Sequence, residues 1–155
     1  MATNGKETRP NLAAIGLATL SVAEEILPTL RRRSMVILIS DCFDSVERLE
    51  SVLQRLRHAS HEVVVFRIAA PEEVEFPFDR PTQFRNLEVA DHRLLVDPAR
   101  LRQEYLRQYR EFSEGLQKVC GDLAVDYRVV MTSDPMQDVL GQWLAERMAK
   151  SRPRR

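Results

Sequence analysis

The chain has 155 residues, 44% of them hydrophobic and 30% charged, which suits one globular domain rather than a disordered segment. Lys+Arg and Asp+Glu are equal at 23 each, so the chain lacks the basic excess that nucleic-acid binding draws on. No apolar run approaches the ~20 residues that span a bilayer, and Met1 to Glu7 shows no basic-then-apolar signal pattern, so a cytoplasmic location is expected.

Residues 1–10 are polar, carry Gly5 and Pro10, and are expected to be a disordered N-terminus; residues 11–150 read as the domain and 151–155 as a basic tail. From Asn11 to about Leu30 the apolar positions Leu12, Ile15, Val22 and Ile26 recur at helical steps, with Pro28 near the end. Met35-Val36-Ile37-Leu38-Ile39 is a continuous, mostly β-branched run, the pattern of a strand covered on both faces. Asp44 or Ser45 caps a helix over about 45–58, with Val46, Leu49, Val52, Leu53 and Leu56 as its apolar stripe. Glu62 to Ile68 is a second buried strand, which completes a βαβ unit.

The stretch 71–97 differs. Pro71, Pro77 and Pro81 break it, and Val74–Phe76, Arg85–Val89 and Arg93–Val96 read as short extended pieces, so a small β excursion on the sheet's edge, not a helix, is predicted. Asp97 caps and Pro98 opens the longest helix, whose apolar face runs through Leu101, Tyr105, Tyr109, Phe112, Leu116 and Val119 to about Gly121. A third strand spans Asp126–Met131, and Thr132-Ser133-Asp134-Pro135 leads into a last helix over about 135–148 with the stripe Met136, Val139, Leu140, Trp143, Leu144 and Met148. Strands alternating with helices in this order predict an α/β, Rossmann-like, open and mainly parallel sheet with flanking helices and a small β insertion.

Several segments, in order and with matching separations, resemble the DUF58 family, a family of unknown function. They are Val36-Ile37-Leu38-Ile39-Ser40-Asp41-Cys42-Phe43-Asp44, Ser60 to Phe66, Pro71-Glu72-Glu73-Val74-Glu75-Phe76-Pro77-Phe78, Leu94 to Pro98, the Asp126-Tyr127 opening, and Thr132-Ser133-Asp134-Pro135. The resemblance implies a von Willebrand factor A-like domain, of which this chain corresponds to the C-terminal half. Such domains usually carry a metal-ion-dependent adhesion site for Mg²⁺, and its fourth-strand carboxylate would be Asp41. Thr8, in the Gly5–Leu12 stretch, is the candidate for its threonine. The Asp-x-Ser-x-Ser loop of that site occurs nowhere in the chain. The resemblance therefore implies Mg²⁺ only in a fuller context and none for this chain alone. It also implies a non-catalytic interaction module working with a MoxR-type AAA+ ATPase. In the strand order of such domains the fourth strand lies beside the first, so 35–39 would offer an unpaired edge open to self-association.

The chemistry-bearing residues have competing readings. Asp41 and Asp44 sit at a parallel strand's carboxyl end, where ligands bind, and the pair supports an alternative reading as a Mg²⁺-dependent phosphohydrolase; Asp41 bonding loop amides and Asp44 capping a helix are the structural alternatives. Cys42 and Arg48 have the Cys-x5-Arg spacing of a phosphate-binding loop, but Phe43 to Glu47 bring two acids and no glycine. A buried thiol is expected for Cys42 and for Cys120, which fit no metal spacing. His58 and His61 flank a turn, where a helix C-terminus favours a cation. With no base, nucleophile or phosphate loop legible, no catalytic residue is expected.

Overall fold

The computed structural model describes residues 21–30, 33–43, 45–80, 82–85, 93–96 and 98–151. Its frame is a three-stranded parallel sheet in the order β1 (Met35–Ser40), β2 (Glu62–Ala69), β5 (Asp126–Met131). Val64 lies opposite Ile37 on one side and Asp126 on the other, so β2 is central and paired along its whole length. The connections are α1 (Val46–His58) between β1 and β2, and α3 (Pro98–Asp122) ahead of β5; α4 (Met136–Ser151) closes the chain. This is the α/β, Rossmann-like arrangement that the alternating pattern predicts.

One sheet face carries Val36, Leu38, Val63, Val65 and Tyr127, and α1 and α3 cover it. The stripe predicted for α1 is the one buried there: Leu49, Val52, Leu53 and Leu56 pack with Leu116 and Cys120 of α3. Each such aliphatic side chain contributes roughly 1.5–3 kcal/mol on burial, so this layer is the main core. Residues 21–26 are helical and pass into a 3-10 turn at Leu27–Thr29 around Pro28; Ala23 joins the same core. Arg48 ties this segment to α1 by donating to Ser21 Oγ at 3.0 Å and pairing with Glu24.

The other face is covered unevenly. Trp143 and Val139 of α4 lie on Val64, Phe66, Ile68 and Val130, with the indole edge-on to the Phe66 ring. Trp143 Nε1 donates to Asp126 Oδ2 at 3.0 Å, which satisfies the one polar atom this packing buries. No described element lies over β1 on this face, so Met35, Ile37 and Ile39 are exposed while Val36 and Leu38 are half-buried. The reading of β1 as covered on both faces is therefore corrected: among the described strands of the parallel sheet, β2 is the one with that environment. The stripe predicted for α4 is likewise only partly buried, since Met136, Leu140, Leu144 and Met148 are exposed.

The 71–97 stretch also departs from expectation. Pro71–Glu75 is a short helix, α2, and not an extended piece. Pro71 sits in its first turn, where the missing N–H costs nothing, and Glu73 accepts from the Ala70 amide at 3.1 Å. The predicted breaker thus starts a helix. Arg102 of α3 donates to the carbonyls of Glu75 and Phe76, both at 3.2 Å, and holds the end of α2 in place. Beyond it, β3 (Thr82–Arg85) and β4 (Arg93–Val96) form an antiparallel pair of their own and do not extend the parallel sheet's edge. The cap assigned to Asp97 and the segments 1–10 and 152–155 lie outside the described residues.

Candidate functional site

The carboxyl ends of β1, β2 and β5 share one rim, so Asp41 and the Thr132-Ser133-Asp134 turn stand on the same side of the sheet. Asp41 follows β1 directly and is exposed. Its Oδ1 accepts from the Phe43 amide at 3.2 Å and from Ser40 Oγ at 3.3 Å, while Ser40 Oγ accepts from the Cys42 amide at 3.1 Å. These bonds form a tight turn in which Cys42 has a φ of 59°. A non-glycine residue in that region costs about 1–2 kcal/mol, and the two side-chain-to-amide bonds offset it. Ser45 then caps α1, its Oγ accepting from the Arg48 amide at 3.2 Å. Asp44, the other candidate cap and the second carboxylate of the proposed pair, lies outside the described residues, as does Thr8.

On β5 the turn is organised in the same way. Asp134 Oδ2 accepts from the Met131 amide at 2.9 Å, and Thr132 donates its amide to the Ala69 carbonyl at 2.9 Å. Two strand spacings, about 10 Å, separate this turn from Asp41. Among the described residues no group of three His, Cys, Asp or Glu side chains could hold a metal ion. A Mg²⁺ takes six oxygens near 2.1 Å, several of them waters, with one or two carboxylates; at this turn Asp41 is the carboxylate among the described residues.

The cysteine–arginine spacing does not assemble a phosphate loop among these residues. Burial pushes the Cys42 thiol up to about 11, Arg67 opposing the rise and Asp41 adding to it, and the Arg48 guanidinium engages Ser21 and Glu24. Cys120 is pushed up to about 12 by burial, with Cys42 adding to the shift; both cysteines are buried and free, as expected.

His58 is exposed at the end of α1, but His61 is buried, and its Nδ1 accepts from the Ser34 amide at 3.1 Å, which pins the lead into β1. This role is not the helix-end one expected from spacing. Arg67 was also missed: on β2, in the middle of an apolar strand, its side chain is buried and lies between the rings of Tyr109 and Phe112. The one signal in the sequence was a lone cation within a run of β-branched and aromatic residues.

At the opposite rim, Glu62, Asp126, Arg128, Arg147 and Lys150 surround a polar crevice of about 640 Å³. Its charges are paired across elements: Arg128 holds Glu146 at 2.5 Å, and Arg147 holds both carboxylate oxygens of Glu62, one of them at 2.7 Å. At the outer side of β1 lies an apolar groove of about 560 Å³, lined by Val22, Ile26 and Leu30 on one side and 36–39 on the other.

A family model described as "Protein of unknown function DUF58" matches residues 8–115, more than half of the chain. The chain belongs to the DUF58 family. The match takes in the Asp41 turn, β2, α2 and the first part of α3, and ends before β5 and α4. No curated protein and no solved structure matches the chain. No helix among the described residues is long and apolar enough to cross a membrane. Within this DUF58 chain the two features that stand out chemically are the apolar surface of β1 with α4 and the buried Arg67.

Proposed function

We propose that this DUF58 chain is a non-catalytic protein-interaction module of von Willebrand factor A type that works with a MoxR-type AAA+ ATPase. The observation that supports it is a single apolar corner. Its floor is Met35, Ile37 and Ile39 of β1. Its wall is the exposed stripe of α4. At 100° per residue, going round the helix from Glu146, Met136 comes just before Arg147, and Leu140, Leu144 and Met148 lie past it. Glu146 reaches Arg128 on the outer strand β5 and Arg147 reaches Glu62 on central β2, so the stripe turns toward β1. Among the described residues β1 pairs only with β2, so its outer edge offers backbone donors and acceptors beside this corner.

Exposed apolar side chains on two elements of one sheet face mark a candidate interaction site. A strand added to the β1 edge or a helix laid in the corner would cover it, and burying each Ile or Leu contributes roughly 1.5–3 kcal/mol before the costs of association. The ATPase as partner rests on the family resemblance. The test is calorimetric titration with a purified MoxR-type ATPase, in its ATP and ADP states, against the wild type and against Ile39→Lys and Leu144→Glu. The wild type should bind, and each variant should bind at least tenfold more weakly, about 1.4 kcal/mol, with unchanged melting. No binding in either state, or equal binding by the variants, removes the partner assignment. Mg²⁺-dependent hydrolysis of a phosphate ester, lost in Asp41→Ala, would replace this reading with the phosphohydrolase built on Asp41 and Asp44.

A further inference from the structure

The stretch around β1 is its own complement when reversed about Ile37. Arg33, Met35, Ile37, Ile39 and Asp41 occupy alternate positions, with a cation at one end, a carboxylate at the other and apolar residues between. Exposure alternates without a break from Arg33 to Asp41, so these five side chains share the open face of the sheet.

The backbone has the matching parity. Ser34 accepts the Glu62 amide on its carbonyl at 2.9 Å and donates its own amide to His61 Nδ1 at 3.1 Å, so it faces β2. Backbone groups alternate sides along a strand. Val36, Leu38 and Ser40 therefore face β2 as well, and the amides and carbonyls of Met35, Ile37 and Ile39 point out from the edge that pairs with no other described strand.

When two β1 strands run antiparallel about a two-fold axis at Ile37, Met35 opposes Ile39 and Ile37 opposes Ile37. Outward-facing residues opposed in this way exchange both of their backbone hydrogen bonds. Arg33 then opposes Asp41 at each end. Opposed side chains lie about 4.5–5.5 Å apart at Cβ, within reach of an ion pair. Asp41 bonds its own turn through Oδ1, which leaves Oδ2 for the guanidinium. Sliding the register by two residues sets Arg33 against Ile39 or Asp41 against Met35, so charge and apolarity agree in the centred register. On the helix-covered face Val36 opposes Leu38, beside the groove where Val22 and Ile26 are exposed.

We propose that a second copy of this chain occupies the β1 edge, paired antiparallel about Ile37, with Arg33 of each copy on Asp41 of the other. The contact is isologous and closes at two copies. It uses the same edge as the partner surface above but rests on nothing about the ATPase. A chain that stays monomeric yet binds the ATPase sinks the pairing alone, and a dimer that ignores the ATPase leaves the pairing standing.

The test has two arms, both on the full chain without the ATPase. Register is read by oxidative cross-linking in the Cys42→Ala/Cys120→Ala background. Ile37→Cys should give a covalent dimer, because opposed Cα atoms about 5.5 Å apart lie within disulfide range. Met35→Cys and Ile39→Cys should cross-link poorly alone and readily when mixed. Charge is read by sedimentation at low salt. Arg33→Asp and Asp41→Arg should each self-associate at least about tenfold more weakly than the wild type. Their equimolar mixture restores both opposite-charge pairs and should associate as the wild type does. Where Asp41→Arg fails to fold, the cross-links decide, since they leave Asp41 intact. Monomer mass throughout the micromolar range, Met35→Cys linking to itself as fast as Ile37→Cys, or a mixture of folded charge variants no tighter than either alone would overturn the proposal.

Discussion

Single residues decide how the rim at Asp41 behaves. The sequence allowed Asp41 to be a ligand or a loop-bonding carboxylate, and the structure shows the loop bonds: one oxygen already serves the Phe43 amide and Ser40 hydroxyl. What residue type alone did not reveal is Arg67, because strand periodicity assigns a face and not a partner, and the rings that enclose it come from a helix some forty residues later. The cysteines were legible as buried thiols, and their burial has a pH signature. Folding raises the Cys42 thiol from about 9 to about 11 and Cys120 further. Their contribution to stability is complete below pH 9, where both states are protonated. It is lost as pH rises through 11, because the unfolded thiols have already released their protons. Denaturant midpoints should therefore fall between pH 9 and 11, and the Cys42→Ala/Cys120→Ala variant should show a smaller fall, Tyr127 and Tyr105 accounting for the remainder. At pH 8 only ~0.1% of Cys42 is thiolate, so thiol-reactive reagents should label it orders of magnitude more slowly than in urea.

At the scale of elements, the longer helices and the parallel strands were legible because their apolar periods run over many residues. The short α2 was not: five residues carry too little period to outweigh Pro71 as a breaker, and its anchoring by Arg102 comes from α3. Both helix-to-strand turns are built alike. After α1, the His61 amide donates to the Leu56 carbonyl and Ser60 to Arg57, with Ser60 at φ 63°; after α3, Val125 donates to Cys120 and Ala124 to Gly121, with Ala124 at φ 52°. This is the Schellman arrangement, in which the left-handed residue is usually glycine and the next residue packs back on the helix, as the buried His61 and Val125 do. Ser and Ala carry a left-handed strain of about 1–2 kcal/mol that glycine lacks, set against its greater loss of chain entropy of about 0.5–1 kcal/mol. Ser60→Gly and Ala124→Gly should each raise unfolding free energy by roughly 0.5–1 kcal/mol and add in the double variant. Equilibrium urea unfolding checks this; a loss of stability in either variant would show that the exposed side chain makes a contact the turn geometry does not reveal.

For the whole molecule, the decisive feature is that α1 and α3 cover one sheet face while α4 covers only part of the other. Periodicity marked Met35–Ile39 and the full α4 stripe as core because both are apolar, and it cannot tell a surface covered within the chain from one left for a partner. The family resemblance did bear on this, since it implied an open edge at 35–39. An apolar edge strand flanked by exposed Ile37, Ile39 and Leu144 is a pairing hazard unless blocked, and two copies brought edge to edge would each cover the other's corner. Sedimentation should therefore show mass rising with concentration in the micromolar range. Ile37→Lys, which places a charge at the open strand, should hold the chain at the monomer mass. Its melting temperature should be nearly unchanged, because the side chain is 40% exposed already and loses little burial on substitution. A lysine variant that associates as strongly as the wild type would move the contact off β1. A variant that unfolds would mean Ile37 supports the chain's own core, and the corner would lose its standing as a surface kept for another protein.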